Sequence, residues 1–390
     1  MVIRKAYDCY IEDESGKRFI DTSMGSGVQI IGHNNPLIRK IGKQISNGTV
    51  YTIPNVHTEC VNFYLKKYIN PDLHSEYIFC NSGTEANMRA IRLARAYTGR
   101  NKIGKFHGGW HGGLDGFIES RGVPSCSDEL VTILPYNEDS CFEKISSELA
   151  AIIVEPTQGS NPRTDIGPFL QKVQEECKRK GVLFILDEVM TGFRLSKRGG
   201  AGVFNLVPDI VTYGKVLGGG FPIGAVGAAE DIISTQNVFY GGTFSSNPLS
   251  MYGAKLILQT ITGEGGGKKH IDYGKLQSTS EYFRNELNSF FKSAHKQLRV
   301  MGCESLNRII FTDKFIKNRK ERDTLESQNQ EKFYNSLQKE GVFINGNGLI
   351  HLSMCHLDVI NDIINAIKRT FKKTEFSPPE TSSIGFSKIP

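Results

Sequence analysis

Lys215 lies between an apolar run, Asp209-Ile210-Val211-Thr212-Tyr213-Gly214, and a glycine-rich turn, Val216-Leu217-Gly218-Gly219-Gly220. A solvated charge gains nothing from that setting. A reactive amine does, because partial desolvation lowers a lysine's pKa and glycines let the backbone approach a flat ring closely. The order G-K-V-L-G-G-G lacks the GxxxxGKS/T spacing, and GxGxxG is absent, so a nucleotide loop is set aside. A second string, Val182-Leu183-Phe184-Ile185-Leu186-Asp187-Glu188-Val189, reads as a buried strand that delivers two carboxylates at its carboxyl end. Open α/β sheets hold ligands at that edge. A buried carboxylate needs a cationic partner, and a protonated ring nitrogen would be one; Asp187, staying ionised, would keep such a ring an electron sink. A metal ion or a helix end would serve the same acids. In Cys80-Asn81-Ser82-Gly83-Thr84-Glu85-Ala86 a strand ends in small polar residues and a helix begins. Free N–H groups, the helix dipole and two hydroxyls converge there, which suits a phosphate as well as a plain N-cap.

Two further loops could complete such a pocket. Trp110, the single tryptophan, sits in the glycine-rich Phe106-His107-Gly108-Gly109-Trp110-His111-Gly112-Gly113 and could stack on a ring or anchor a core. Gln158, in Glu155-Pro156-Thr157-Gln158-Gly159, could hydrogen-bond a phenolic oxygen or hold its own loop. These residues need elements that bring them together. Between about Tyr51 and Thr243 helical and strand-like segments alternate: SEYIFC, a helix from Thr84 to Tyr97, NKIGKF, ELVTIL, AAIIVEP, a helix from Gly167 to Lys180, GVLFILDE, PDIVTYGK and AVGAAE. Several of the strands are nearly continuous apolar runs, which predicts a sheet covered by helices on both faces. The flanks differ. A hairpin-like start turns at Ser15-Gly16, and the C-terminal region mixes helices with brief strands such as NRIIF and LIHLSM. The reading is α/β: residues 1–50 and 251–390 form one smaller domain around a large domain at 51–250.

Composition narrows the classes. Hydrophobic content is 39% and charged content 23%, ordinary for a globular chain, and no segment approaches the ~20 apolar residues of a membrane span. The start lacks the apolar run of an export signal, which places the expected site of action in the cytoplasm. The eight cysteines are scattered singly, without CxxC, so neither a zinc site nor a disulfide framework is expected and the thiols read as reduced and mostly structural. Residues 261–390 carry 20 Lys+Arg against 15 Asp+Glu. Lys314 to Arg322, KFIKNRKER, lacks interleaved aromatics beyond Phe315, so it reads as a solvated face and no nucleic-acid partner is expected. The stretch Gly263 to Lys269 and the tail Ser377 to Pro390 read as a linker and a terminal arm.

Taken together, the residues resemble the class III aminotransferases of PLP fold type I, and among them the branch of glutamate-1-semialdehyde aminomutase. The strings that carry the resemblance are NSGTEANMRAIRLARAYTGRNKI, AAIIVEPTQG, LDEVMTGFR, PDIVTYGKVLGGGFPIGAVG and GGTFSSNPLSM, in order along the chain. The resemblance implies a large domain with a mostly parallel sheet of the seven-stranded type between helices, a smaller α+β domain from both termini, and pyridoxal 5'-phosphate as cofactor. It implies that Lys215 forms the Schiff base, that Asp187 pairs with the ring nitrogen, and that Val189 and Trp110 cover the two ring faces. Ser82, Gly83 and Thr84 would bind the phosphate, and Thr243 would reach in from the second subunit of a homodimer. Gln158 matches the glutamine that contacts the ring hydroxyl in ornithine-type members. The substrates would be small amines or amino acids and carbonyl compounds.

Departures from the aminomutase pattern bear on the reaction. The chain begins at about the hairpin, without the preceding segment whose arginine binds a substrate carboxylate. Ser26 replaces an expected tryptophan, the stretch from His111 to Asn137 is shorter than the aminomutase's gating region, and GVFINGNGLIHLSM replaces a FEAGF-like segment. An aminomutase must retain its intermediate, since release makes it an ordinary transaminase. The expectation is therefore transfer between separate amine and carbonyl substrates, with intramolecular 2,1-migration as the alternative. Arg194 and His351 remain as candidates for a substrate carboxylate, although Arg194 could merely brace its loop. Intact Lys215 and Asp187 argue against an inactive binding module.

Overall fold

The computed structural model describes residues 1–374 except 52, 74–75, 119–120, 125–128, 265–269, 296, 324–328 and 347. The glycine-rich stretch beyond Glu264, the tail from Ser377 and Cys126 lie outside the described residues. Three sheets form among those described. The chain starts as the expected hairpin, with β1 (Ile3–Tyr7), β2 (Tyr10–Asp13) and β3 (Arg18–Asp21). Asp13 shapes the turn by accepting from the backbone N–H groups of Ser15 and Lys17.

The central sheet contains β4 (Ile78–Cys80), β5 (Lys102–Phe106), β6 (Val131–Leu134), β7 (Leu149–Val154), β8 (Leu183–Asp187), β9 (Ile210–Tyr213) and β10 (Gly224–Ala228). Their order is β4-β10-β9-β8-β7-β5-β6. Only β10 runs against its neighbours β4 and β9; the other pairings are parallel. The carboxyl ends of β4, β5, β7, β8 and β9 therefore share one edge of the sheet.

Every residue of β7 is buried, as two covered faces require. The side-chain period of two explains how. Ile152, Val154, Phe184 and Leu186 pack with Leu170, Val173 and Cys177 of the helix Gly167–Lys180. The intervening Ala151, Ile153 and Ile185 pack with Ala86, Ala90 and Leu93 of the helix Gly83–Thr98. Each fully buried large apolar side chain contributes about 1.5–3 kcal/mol. Both helices end on a left-handed glycine, Gly99 and Gly181, where the absent Cβ removes the steric penalty.

Towards the C-terminus, β11 (Arg299–Cys303) and β12 (Leu306–Ile310) form a hairpin. Next, β13 (Val342–Phe343) returns to the start of the chain and pairs in parallel with β3, Val342 opposite Ile20 and Phe343 opposite Asp21. Finally β14 (Leu349–His351) joins β12. No helix among the described residues is long and apolar enough to cross a membrane.

The basic stretch Lys314–Arg322 departs from the solvated face expected of it. Ile316, Asn318 and Arg322 are buried. Asn318 donates to the Tyr136 carbonyl and to Glu138, Arg319 to the Gly108 carbonyl, and Arg322 to the Ser160 carbonyl. Long side chains bury their aliphatic stems while their heads find acceptors, so this charged segment covers two loops at the carboxyl edge of the sheet.

Candidate active site

Lys215 follows β9 and opens a short turn of 3-10 helix, Lys215–Gly218. Its backbone has φ +40°, a left-handed conformation that costs a non-glycine residue about 1–2 kcal/mol. Such strain persists only where the surroundings impose it. Just before it, Gly214 runs close to two neighbours: an added Cβ would lie 3.3 Å from a Val189 methyl and 3.5 Å from the Gly83 Cα. The chain thus passes through a slot between the ends of β8 and β4, and Lys215 emerges beyond it. Burial lowers the Lys215 pKa from its ordinary value, the carboxylates of Asp187 and Glu155 work against that, and the Arg194 cation adds to it.

Asp187 is almost completely buried at the end of β8. One carboxylate oxygen pairs with His111 Nδ1 at 2.7 Å and accepts from the Asn87 amide at 2.8 Å. The other accepts from the Val189 N–H at 3.0 Å. Thr212 completes the clamp by donating to the Asn87 carbonyl oxygen at 2.7 Å, which turns the Asn87 amine towards Asp187. The carboxylate is therefore fixed by residues from a helix, the loop after β5 and strand β9. Glu188 has a different fate. It accepts from the N–H groups of Gly200 and Ala201 and from the Thr191 hydroxyl, so it caps the short helix Gly199–Phe204. Burial pushes its carboxyl up to about 7.

The helix Gly83–Thr98 starts at the N-cap Ser82, whose hydroxyl accepts from the Glu85 N–H at 3.1 Å. The N-cap reading of this string is met by Ser82, and the first N–H groups have no partner within the helix, which leaves them available to an anion. A Cβ on Gly83 would fall 2.5 Å from a Val189 methyl, and one on Gly112 would fall 2.3 Å from the Thr84 hydroxyl. The loops after β4, β5, β8 and β9 therefore meet at one point.

Trp110 donates its backbone N–H to Glu155 at 3.0 Å, but the residue is 56% exposed. It is no core anchor; it stands on the site loop. Gln158 is buried and donates to the His107 carbonyl at 2.7 Å, so it does hold its loop, while its side-chain oxygen has no partner among the described residues. Glu155 bridges the same loops through the Trp110 and Gly159 N–H groups; burial pushes its carboxyl up and Asp187 adds to that, against the pull of His111. Thr243 is exposed, in a segment held to the helix Gly83–Thr98 by Arg89 and Arg92 through the Gly241 and Phe239 carbonyls. Arg194 is a brace. It is fully buried, and its guanidinium donates to the Gly27 carbonyl twice and to the Leu352 carbonyl, which withdraws it as a carboxylate-binding candidate.

His111, Asn87, Thr212 and Glu155 were not singled out in the sequence. His111 and Glu155 carried the available signals, His111 its place beside Trp110 in the loop after β5 and Glu155 its place directly after β7. An amine, a fixed carboxylate, a helix N-terminus and the unpaired Gln158 oxygen together fit a flat aromatic aldehyde that carries a ring nitrogen and a phosphate. No group of three or more His, Cys, Asp or Glu residues among the described residues could hold a metal ion.

Residues 1–371 match the model of the family described as aminotransferase class-III. A glutamate-1-semialdehyde 2,1-aminomutase of Methanosphaera stadtmanae is 33% identical over 359 residues, 86% of this chain and 82% of that protein. The protein of the same name from Sulfolobus acidocaldarius is 33% identical over 386 residues, 92% of this chain and 89% of that one. Among solved structures, an omega-transaminase from Sphaerobacter thermophilus superposes with a TM-score of 0.87 at 25% identity, over 95% of this chain and 90% of that chain.

Proposed function

The chain belongs to the class III aminotransferases, a pyridoxal-phosphate family, and from that premise we propose that it moves an amino group by way of a Schiff base on Lys215. The observation that carries this reading is the convergence of Lys215, the clamped Asp187 and the N-terminus of the helix Gly83–Thr98 at one edge of the sheet. When bound, pyridoxal phosphate supplies a carbonyl that captures amines and a ring that accepts the electron pair left when a substrate carbon loses a proton. Asp187 would hold the proton of the ring nitrogen, and His111 and Asn87 hold Asp187. Ser82, Gly83 and Thr84 bind the phosphate. Val189 and Trp110 would cover the two ring faces, Gln158 would contact its hydroxyl, and Thr243 would serve the site of the partner in a homodimer. Lys215 would hold the cofactor and, as an amine, would be the group that moves a proton at the substrate carbon, a role favoured by the burial that lowers its pKa.

Within the family the relatives support intramolecular 2,1-transfer of the glutamate-1-semialdehyde type, since those 33% identical carry that name. This moves the balance away from the transfer between two substrates that the sequence departures favour. That second reading keeps one structural observation: Ser26, at the position of the expected tryptophan, is exposed and leaves a small hydroxymethyl group there. Supplying a single amino-aldehyde without any partner separates the two. An aminomutase converts it; a transaminase needs a separate donor and acceptor. For either, Lys215→Ala abolishes turnover and the visible absorbance of the lysine-bound cofactor, and an unchanged spectrum and rate would overturn the assignment.

A further inference from the structure

His351 ends β14 and is almost completely buried, with its backbone N–H donating to the Thr22 carbonyl at 2.8 Å. Neither ring nitrogen has a hydrogen-bond partner among the described residues. A buried imidazole without partners costs about 1–3 kcal/mol, so something is expected to pair with it. A Cβ built on Gly27 would stand 2.9 Å from His351 Cδ2, 3.2 Å from Nε2 and 3.0 Å from the Met190 sulfur. A thioether and a bare glycine offer little to a buried water, which needs about 2–4 polar partners. Arg194, the cation with the largest influence on this ring, spends its donors on the Gly27 and Leu352 carbonyls. The ring and the Met190 sulfur therefore both lie against Gly27, which belongs to a left-handed turn, and Met190 is next to the Val189 that packs on Gly83 and Gly214. In that turn Met24, Gly25, Ser26 and Gly27 have φ of 48°, 61°, 54° and 88°, and two of the four are non-glycine residues that strain the backbone.

The electrostatics narrow the missing partner. Burial lowers the His351 pKa well below its ordinary value, and the cations of Arg194 and Lys215 press the same way. No carboxylate of the protein counts among its strong influences. A group that pairs with this ring in the field of Arg194 and Lys215 gains from bringing negative charge.

Building on the amino-transfer reading, we propose that His351 is a substrate-binding residue that donates a ring N–H to the substrate's carboxylate, the task from which Arg194 is withdrawn by the Gly27 and Leu352 carbonyls. A neutral imidazole with one donor suits a carboxylate in a positive field. His351 thereby selects carboxylate-bearing amines and carbonyl compounds over plain ones.

The test uses the cofactor-loaded protein with His351→Phe and His351→Gln. Titration calorimetry with butyrate and with butyramide reads recognition without turnover. The expected result is that the wild type prefers butyrate by about tenfold or more, that His351→Phe loses the preference, and that His351→Gln, which keeps a donor, retains part of it. Loss of cofactor absorbance with γ-aminobutyrate and with propylamine reads the first half of the reaction. His351→Phe is expected to slow the acid about 10–100-fold and to leave propylamine within about threefold. The thermal midpoint is expected to hold or rise in His351→Phe, because an unpaired buried polar group is removed. If that variant unfolds, His351→Gln carries the comparison. Equal wild-type affinity for butyrate and butyramide, or a preference that survives in His351→Phe, overturns the proposal. If no amine changes the absorbance of the wild type, the amino-transfer reading fails instead, and the calorimetry still decides the role of His351.

Discussion

Asp187 shows how a side chain becomes useful by losing its freedom. Its oxygens are committed to His111, Asn87 and the Val189 N–H, so its charge is aimed before any ligand arrives. Replacing His111 by Leu leaves one oxygen with Asn87 as its only partner and costs about 1–3 kcal/mol of that arrangement. The expected outcome is about 10–100-fold weaker retention of the cofactor, read from its absorbance after dialysis; unchanged retention would remove His111 from the clamp. At this scale the sequence disclosed the residues that stand at strand ends. Lys215, Asp187 and Ser82 each follow an apolar run, and a run's end is visible in one dimension. The partners of Asp187 were not visible, because Asn87 and Thr212 lie 100 and 25 residues away and meet it only through sheet order. Arg194 and Glu188 look chemically available in the sequence, and only the carbonyls and N–H groups around them reveal that they are braces.

Among the elements, the turn after β14 joins the two ends of the chain. His356, on the short helix Met354–His356, accepts at Nδ1 from the Ser353 N–H at 3.0 Å and lies 3.1 Å at Nε2 from the Asp21 carbonyl, which accepts from it. Burial pushes its pKa down to about 4. Folded, it stays neutral; unfolded, it takes a proton near about 6.5. The unfolded state therefore binds more protons between those values, and the contribution present above about pH 6.5 is lost as the pH falls towards about 4, up to about 3 kcal/mol. His356→Gln keeps a donor and an acceptor but cannot titrate. Urea unfolding at about pH 7 and about pH 5 is expected to show a smaller acid-side loss in the variant than in the wild type; equal losses would contradict it. The seven central strands and the two long helices were legible because their apolar periods are regular. The basic segment around Arg319 was misread because charge dominates its composition, whereas its placement follows from aliphatic stems and the carbonyls of Gly108 and Ser160.

For the molecule as a whole, the exposed apolar side chains are informative. Ile53, Val56 and Phe63 are exposed, as are Phe239 and Phe244, and the two stretches are tied together where the Asn55 amide donates to the Ser246 carbonyl at 2.9 Å. A monomer seldom leaves such a cluster uncovered. A homodimer built on it would bury the segment that carries Thr243. Phe239→Glu is expected to shift the protein towards monomer in light scattering and to lower activity in parallel; a wild type that is monomeric and fully active would exclude the shared site. The parallel pairing of β3 with β13 reaches beyond architecture. Residues near position 20 pair with β2 at once but lack their second sheet partner until those near 342 exist, and Gly27 and Leu352 are drawn to the same guanidinium. On a ribosome adding about 5–20 residues per second, the amino-terminal hairpin waits for nearly the whole chain, while the central sheet can already close. A nascent chain halted before β13 would own the lysine and its clamp yet lack the wall beside them, leaving it open to capture by chaperones.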